Sequence, residues 1–374
     1  MDSSSVACLF RKATTLSAQC GHDHSCKTGY RNIPRERRNV MRVSHRTWKV
    51  LLIIPIVAFL TTGASQAATT TSGKNCSTIQ KAINKLPASG GQVIIKRGNY
   101  ICTDPIVIDR DNVELLGESP AAILRFASGA NAPVLVMGQM AQIPSITRKN
   151  IHIANLTIDG NRTNQTYECF HGPCTADNQI YNNGISVRRC EDCSIERVTV
   201  FKARSGGLVA DKVTRRLTVR DFNSFDNQFD GLAAYETENS LFSGINVHDN
   251  GAAGLSFDWD FNNNIVSDTV IVDNAKVGIF MRDSKDNFFH GFQIRNSGEH
   301  GIFLAQVEND ATKPAQGNTF SGIVVSNSAG AGIRVNDASC VNNLIVSSQF
   351  VGNNGGCISE AVQGLVSAYG NICR

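Results

Sequence analysis

No apolar run in this sequence is long enough to cross a membrane comfortably. Residues 50–60 read VLLIIPIVAFL, about half of the 20 or so residues that a spanning helix needs. Basic residues precede this run and the small-residue stretch TTGASQA follows it, the order typical of a secretory signal peptide. We therefore predict a signal peptide over residues 41–67, cleavage after Ala67, and a secreted, periplasmic or extracellular protein with no integral membrane domain. A retained signal anchor is the alternative.

Residues 1–40 precede the predicted signal peptide, where such signals normally begin. We interpret them as a non-native or disordered extension. The domain prediction is therefore an extension over 1–40, a signal peptide over 41–67 and one folded domain over 68–374.

A basic surface is also lacking once residues 1–67 are removed. The whole chain has a formal net charge of +4, but from residue 68 onward 26 Lys and Arg face 29 Asp and Glu, a net charge of −3. Nucleic acid is therefore not an expected partner. An acidic ligand would have to be bound by local arginines and lysines.

Beyond residue 67, the cysteine pair with metal-site spacing is Cys190-Glu-Asp-Cys193, which has no matching second half, so zinc is not predicted. No metal is assigned to the histidines, no cofactor is predicted with certainty, and calcium is left open. Nine cysteines follow Ala67, and export favours disulfides. Cys76 with Cys102 and Cys169 with Cys174 are candidate pairs, and the odd number leaves at least one thiol unpaired.

What the sequence does have is a repeat. A glycine followed in most units by Ile or Leu recurs at spacings of 23 or 24 residues, with one spacing of 31. These glycines are Gly184, Gly207, Gly231, Gly254, Gly278, Gly301, Gly332 and Gly356. A fixed period of this length indicates a solenoid, and short β-branched runs with abundant Gly and Asn exclude helical repeats. The prediction is an all-β parallel β-helix with about one coil per repeat.

Asparagines recur in two columns of the repeat. Asn227, Asn250 and Asn274 each stand four residues before a repeat glycine. In successive coils about 4.8 Å apart, their amides would bond to one another in a ladder. A second, less regular column has the same interpretation and contains Asn264, Asn287, Asn318 and Asn343.

The segment NCSTIQKAINKLPASGGQVIIKRGNYI predicts a short amphipathic helix and then a strand. Ser77 and Gln80 have the spacing of a capping box. The helix would cover the first coil, because an uncovered first coil would expose unpaired strand edges, which natural proteins avoid.

From STIQKAINKLPASGGQVIIKRGNY through VELLGE, and on through the glycine repeats, the chain resembles right-handed β-helix proteins of the pectate lyase superfamily. The resemblance covers roughly residues 75–374 and implies a right-handed coil. It specifies activity weakly, because this fold carries lyases, hydrolases, epimerases, esterases and inactive binding proteins.

Strand alternation then predicts which face carries chemistry. If the residue after each glycine points inward, the residues two and four after it point outward. The fourth-position column reads Arg188, Asp211, Tyr235, Asp258, Arg282, Ala305 and Asn336. Four neighbours in it, Asp211, Tyr235, Asp258 and Arg282, are the predicted catalytic residues.

Further side chains near this column are predicted to bind substrate: Arg188, Lys212, Glu236, Trp259 and Asp260. Insertions at residues 160–182 and 307–316 flank the same sheet and are expected to wall a groove, since long loops within a compact domain are usually functional or disordered. The alternative is that these charges only solvate an exposed strand face and prevent aggregation.

The column also resembles the catalytic face of bacterial mannuronan C5-epimerases, where a Tyr-Gly-Phe-Asp-Pro-His type motif lies one coil before a Gly-Phe-x-x-Asp motif. LTIDGNR at 156–162 is similar to that family too. Here the corresponding coils read Gly206-Gly-Leu-Val-Ala-Asp211 and Gly231-Leu-Ala-Ala-Tyr235. The resemblance supports the site's location, whereas these differences argue against the same set of catalytic residues.

The function hypothesis is a carbohydrate-active protein whose partner is an acidic polysaccharide, cleaved by β-elimination or changed by C5 epimerisation. Both reactions need a cation beside the uronate carboxylate and groups that move a proton. Arg282, with Arg188 or Lys212, would supply the cation, and Tyr235 the base or acid. One alternative is inverting hydrolysis by Asp211 and Asp258, two coils or roughly 9.6 Å apart. The other is carbohydrate binding without turnover.

Overall fold

The computed structural model describes residues 68–166 and 181–374. The predicted extension over 1–40 and signal peptide over 41–67 lie outside the described residues. Within the described part, no helix is both long and apolar enough to cross a membrane.

The repeat builds a parallel β-helix, as predicted. In the regular coils the chain passes in turn through three parallel sheets, which we call sheets 1, 2 and 3. From Gly184 to Gly332, each strand of sheet 1 begins directly after a repeat glycine. The sheet is formed by Ile106–Ile108, Leu135–Met137, Ile185–Arg188, Leu208–Asp211, Leu232–Tyr235, Leu255–Asp258, Ile279–Arg282, Ile302–Val307, Ile333–Val335 and Ile358–Glu360. One further strand, Asp310–Pro314, pairs antiparallel with Ile302–Val307.

Sheet 2 consists of short strands at the next corner of each coil. They are Arg148–Lys149, Cys190–Glu191, Thr214–Arg215, Thr237–Glu238, Phe261–Asn262 and Ser284–Lys285.

Sheet 3 closes the coil and contains the remaining described strands. They are Ala68–Thr71, Gly91–Ile95, Gly98–Cys102, Val113–Gly117, Ala122–Phe126, Ile151–Ala154, Thr157–Asp159, Ser194–Glu196, Thr199–Phe201, Thr218–Phe225, Leu241–His248, Ile265–Ser267, Val270–Val272, Phe288–His290, Gln293–Arg295, Thr319–Ser321, Val324–Ser326, Asn343–Val346, Gln349–Val351, Val366–Tyr369 and Ile372–Cys373.

The predicted capping helix is present as Cys76–Lys85, and a short 3₁₀ helix spans Arg162–Asn164. The capping box prediction was wrong. Asn75 is the N-cap, and its side chain accepts a hydrogen bond from the Ser77 N–H at 3.0 Å. Gln80 instead bonds to both backbone groups of Val107 in the first strand of sheet 1. The helix therefore docks on the first coil through Gln80, as well as through its buried apolar face.

The core is a column of apolar side chains inside the coils. The residues one and three after each repeat glycine point inward, as expected, because strand alternation places them on one face. Leu232, Ala234, Leu255 and Phe257 are each 0% exposed. The register between coils is direct, with Leu232 beside Leu255 and Ala234 beside Phe257.

Both predicted asparagine ladders are confirmed. Asn227 donates to Asn250, and Asn250 to Asn274, each at 2.9 Å. The second ladder runs from Asn264 through Asn287 and Asn318 to Asn343, with amide bonds of 2.9–3.1 Å. These amides satisfy buried polar groups at coil corners, so their role is structural.

Replacing a ladder amide should therefore cost stability. Asn250→Ala would remove the oxygen that accepts from the Asn227 backbone N–H and Nδ2, and the amide that donates to Asn274 Oδ1. We expect the free energy of unfolding to fall by about 2 kcal/mol or more. Urea denaturation followed by circular dichroism measures this change. Asn99→Ala, at an exposed strand position, should stay within about 0.5 kcal/mol of the original protein. Equal stabilities for the two variants would contradict a stabilising ladder.

Disulfides join Cys76 to Cys102, Cys190 to Cys193 and Cys357 to Cys373, while Cys340 is free and buried. The first pair was predicted and ties the capping helix to a strand of sheet 3. The motif that resembled half a zinc site is therefore a local disulfide. The proposed Cys169–Cys174 pair lies outside the described residues.

Candidate functional site

The predicted catalytic residues lie on consecutive strands of sheet 1. Arg188 pairs in register with Asp211, Tyr235 with Asp258, and Arg282 with Ala305. Residues far apart along the chain are thus vertical neighbours on one face, which is the arrangement the site prediction required.

This face is less solvated than the sequence suggested. Only 4% of Asp258 and 3% of Arg188 is exposed, so pointing outward from the coil does not expose these two side chains to solvent. Their charges are matched by neighbouring groups rather than by water. The site is therefore a set of covered ion pairs beside partly exposed side chains.

Arg188 holds a segment of chain in place. Its guanidinium donates to the backbone carbonyls of Gln139, Ala141 and Gln142 at 3.2, 2.5 and 2.8 Å, and to Asp211 at 3.2 Å. Burial raises the pKa of Asp211, opposed by Arg188. These contacts use the donors that were predicted to bind substrate, so Arg188 is an anchoring residue in this structure.

Asp258 and Arg282 form the second ion pair. Arg282 Nε donates to Asp258 Oδ2 at 2.9 Å, and Nη2 contacts the same oxygen. Asp258 Oδ1 accepts the Trp259 N–H at 2.8 Å. Burial raises the pKa of Asp258 although Arg282 acts in the opposite direction. The Arg282 side chain is 31% exposed, so it can approach a ligand while keeping its partner.

Tyr235 lies beside this pair and next to Asp230, a residue that the sequence analysis missed. The Asp230 carboxylate accepts the Ala253 N–H at 2.9 Å, and the hydroxyls of Tyr235 and Ser256 lie close enough to oppose the rise in its pKa. Burial raises the pKa of Asp230 to about 6. The pKa of Tyr235 is raised by burial first and then by the charges of Asp230 and Asp258. Tyr235 is therefore protonated at neutral pH, next to a carboxylate that ionises near pH 6.

A signal for Asp230 was present in the repeat. The residues directly before the repeat glycines are Asn183, Gly206, Asp230, Ala253, Val277, His300, Ala331 and Gly355. Asp230 is the only acid in that column. An isolated carboxylate at a coil corner, one residue before a strand that carries a candidate tyrosine, could have been selected on this basis.

The comparisons with known proteins agree with this architecture. The family model for the right-handed beta helix region matches residues 145–306 and 214–371, more than half of the chain. The chain belongs to the right-handed β-helix family. The right-handed coil implied by the sequence resemblance is thereby confirmed.

Among curated proteins, the β-helix is similar to mannuronan C5-epimerase AlgE2 of Azotobacter vinelandii, at 23% identity over 231 residues. The match covers 59% of this chain but only 22% of that protein, so the chain spans less than a quarter of this relative's length.

Among solved structures, the Azotobacter vinelandii mannuronan C-5 epimerase AlgE4 A-module has a TM-score of 0.51 at 15% identity, covering 81% of this chain and 97% of that one. An endo-xylogalacturonan hydrolase from Aspergillus tubingensis has a TM-score of 0.54 at 11% identity, covering 81% and 93%. At these identities the likeness shows the fold alone.

The β-helix has an extra residue at two corners between sheets 1 and 2. Two residues separate Asp211 from Thr214 and Asp258 from Phe261, whereas one separates Tyr235 from Thr237. At each longer corner, two consecutive non-glycine residues have positive φ: Lys212 (59°), Val213 (64°), Trp259 (50°) and Asp260 (62°). Such conformations cost energy and are enriched at functional sites.

The longer corner turns Trp259 outward, where 52% of it is exposed. Lys212 Nζ lies 3.9 Å from Glu236 Oε1 at the neighbouring corner. These predicted substrate-binding residues therefore lie at the edge of sheet 1 rather than on its face.

The hairpin at the end of the Gly301 coil borders the same edge. Its strand Asp310–Pro314 brings Lys313 Nζ to 3.8 Å from Asp283 Oδ2, and Lys285 Nζ lies 3.9 Å from Oδ1. Burial, and then the nearby Asp260, raise the pKa of Asp283. The insertion at 307–316 therefore does flank the site, whereas residues 167–180 of the other insertion lie outside the described chain.

Among the described residues, no group of three or more His, Cys, Asp or Glu is placed to hold a metal ion.

Proposed function

We propose that this protein acts on an acidic polysaccharide by proton transfer beside a uronate carboxylate, leading to β-elimination or C5 epimerisation. The observation that carries the proposal is the Tyr235 side chain, which lies next to Asp230 on one coil and next to the Asp258–Arg282 pair on the following two coils. A proton-transfer group and a partly exposed cation thus share one face of one sheet.

Each group has a role that follows from its surroundings. Arg282 binds the uronate carboxylate and stabilises the negative charge that develops when the C5 proton leaves. Tyr235 takes that proton on its oxygen while passing its own hydroxyl proton to Asp230. Asp258 holds Arg282 in position. The raised pKa of Tyr235 makes this coupled transfer more favourable than prior ionisation of the phenol.

The two outcomes differ in the fate of the carbanion. In β-elimination, the bond from C4 to the glycosidic oxygen breaks, a C4–C5 double bond forms, and the leaving oxygen takes a proton, which Tyr235 can return. In epimerisation the glycosidic bond remains intact. A water molecule on the opposite face gives C5 a proton, and the proton held by Asp230 is released to solvent, where it neutralises the resulting hydroxide.

Inverting hydrolysis is the second candidate, favoured by the several carboxyl groups whose pKa burial raises. Asp211 and Asp258 are two coils apart on sheet 1, or roughly 9.6 Å by strand spacing, near the upper end of the separation used by inverting enzymes. Their arginine partners favour ionised carboxylates in both, which is suited to a base but not to an acid.

A panel of neutral and acidic polysaccharides, incubated with the purified protein in D₂O, separates these reactions. Elimination produces unsaturated ends that absorb ultraviolet light, and epimerisation changes the C5 proton signals and incorporates deuterium without cleavage. Hydrolysis produces reducing ends without a chromophore. Saturable binding without any of these products would indicate a binding protein and would reject the proposed reaction.

The pH dependence tests the role of Asp230. We expect kcat/KM to rise as the pH increases through about 6, because Asp230 must be ionised to accept the tyrosine proton. Asp230→Asn should remove this ionisation from the profile and reduce the plateau. The raised pKa also means that this group's contribution to folding stability is present below about pH 4 and lost as the pH rises to about 6. A profile unchanged in Asp230→Asn would eliminate the relay.

Export is proposed on the basis of residues 41–67 and is supported by the three disulfides of the described chain, which favour an oxidising compartment. Mass spectrometry of the mature N-terminus tests the predicted cleavage after Ala67.

A further inference from the structure

The outward face of sheet 1 becomes more exposed to solvent beyond the proposed catalytic residues. The second-position column begins with side chains that are at most 8% exposed: Ser186, Val209, Ala233 and Ser256. It continues in register to three larger, partly exposed side chains, Phe280, Phe303 and Arg334. The face therefore opens from the Gly278 coil onward, directly beside Arg282.

Phe280 and Phe303 form an apolar strip on this open face. Their rings are nearly parallel, at 14°, with centroids 5.8 Å apart. The Arg282 guanidinium carbon lies 5.6 Å from the Phe280 centroid, a distance typical of a cation–π contact. The strip is thus continuous with the cation assigned to the uronate carboxylate.

A second cation ends the strip. Arg334 follows Phe303 in register, and its Nη1 donates to Ser359 Oγ at 2.8 Å. Within residues 68–166 and 181–374, no carboxylate forms an ion pair with Arg334 at 4.0 Å or less. A partly exposed arginine on a site face without an acidic partner among these residues is suited to an anionic ligand.

His300 adds a directional donor to this region. Its ring packs on Phe303, with centroids 5.8 Å apart, and its Nδ1 accepts the Ala331 N–H at 2.9 Å. Burial, followed by the charge of Arg334, lowers the pKa of His300. The ring is therefore neutral at pH 7 with its proton on Nε2, where it can donate to a hydroxyl or carboxylate oxygen.

We propose that Phe280, Phe303, His300 and Arg334 form a glycan subsite that extends the proposed reaction site along the coil axis. The ligand is a linear acidic glycan, whose carbon-bound hydrogens pack on the two phenyl rings while one of its carboxylates binds Arg334. Arg282 and Arg334 lie two coils apart along the axis, roughly 9.6 Å, and two residues apart along the strand, roughly 6.6 Å, so their backbones are separated by roughly 12 Å, a distance of the order of two glycan residues. Two arginines at this interval match a chain that carries a carboxylate on each sugar. The inference rests on the proposed function for its ligand class.

Binding measured without turnover tests the subsite separately from the reaction. Calorimetry would compare Tyr235→Phe with Tyr235→Phe/Arg334→Gln, using hexasaccharides of mannuronate and, in parallel, of galacturonate. Tyr235→Phe/Arg295→Gln is the control, because Arg295 is an exposed arginine on sheet 3 and its loss changes the net charge equally. We expect Arg334→Gln to weaken binding of one hexasaccharide about tenfold, as for loss of a charge-assisted bond, and to reduce the salt dependence of the affinity.

Three other results would overturn the subsite. Equal hexasaccharide affinity with and without Arg334 means that the cation is not used, and an equal loss in the Arg295 control means that only net charge matters. A loss of equal size for the carboxyl-reduced hexasaccharide means that no carboxylate is bound. Failure of the proposed function appears differently, as Arg334-dependent binding by a protein that produces no new ends and no change at C5.

Discussion

Tyr235→Phe should reduce kcat on the acidic polysaccharide that the panel identifies by about 10²–10⁴-fold, the usual contribution of one positioned proton-transfer group. The substitution removes only the hydroxyl oxygen. The aromatic ring is retained, so the fold and the ligand affinity should change little.

The expected loss follows from the position of the hydroxyl. It lies next to Asp230, which accepts its proton, and two coils from Arg282, which binds the carboxylate next to the reacting carbon. Single-turnover rates of formation of unsaturated ends, or of deuterium incorporation at C5, measure the chemical step directly. Tyr369→Phe is the matched control, because that tyrosine is 65% exposed in the last coils. A Tyr235→Phe enzyme with full activity would remove Tyr235 from the mechanism.

Arg282→Gln should reduce kcat/KM by about 10²–10³-fold, since it removes the cation that stabilises the developing charge. It should also lower the free energy of unfolding by about 1–3 kcal/mol at neutral pH, because Asp258 is left buried without its charged partner. The two effects have different origins and can be measured separately.

The pH dependence of this stability loss has a definite sign. Without Arg282, the pKa of folded Asp258 should rise further above its unfolded value. Ionisation of Asp258 then destabilises the folded state only at pH values above the pKa of the unfolded state. The decrease in the free energy of unfolding should therefore be large at pH 7 and small near pH 3.5.

A double-mutant cycle with Asp258→Asn isolates the pair, and urea titrations at the two pH values provide the data. Arg295→Gln controls for net charge. A loss of stability that is independent of pH would show that Arg282 contributes packing rather than charge.

Much of the fold was predictable because the same residue types recur at equivalent positions of successive coils. The glycine period, the apolar residues one and three positions later, and the Asn227–Asn274 ladder each recur in several coils, and each recurrence reports the same local environment. Even the alternation of 23 and 24 residues has a structural counterpart, the extra residue at the Asp211 and Asp258 corners. The spacing of 31 corresponds to the hairpin at Asp310–Pro314.

The site was predictable only in part. Register alone brought Asp211, Tyr235, Asp258 and Arg282 to one face, and register follows from the repeat. Which side chains remain accessible does not follow from it. Arg188 binds the carbonyls of residues 139–142, which belong to an irregular segment outside the repeat, and no periodicity indicated that contact.

By itself, the sequence determined the parallel coil, its inward and outward positions and the face on which ionisable residues collect, because these depend on local alternation repeated at a constant interval. Only the tertiary structure decided that Asp230 lies next to Tyr235, that Asp258 is covered and paired, and that the face opens at Phe280. Those features depend on side chains from different coils and corners meeting in space, and on the desolvation that results from their contact.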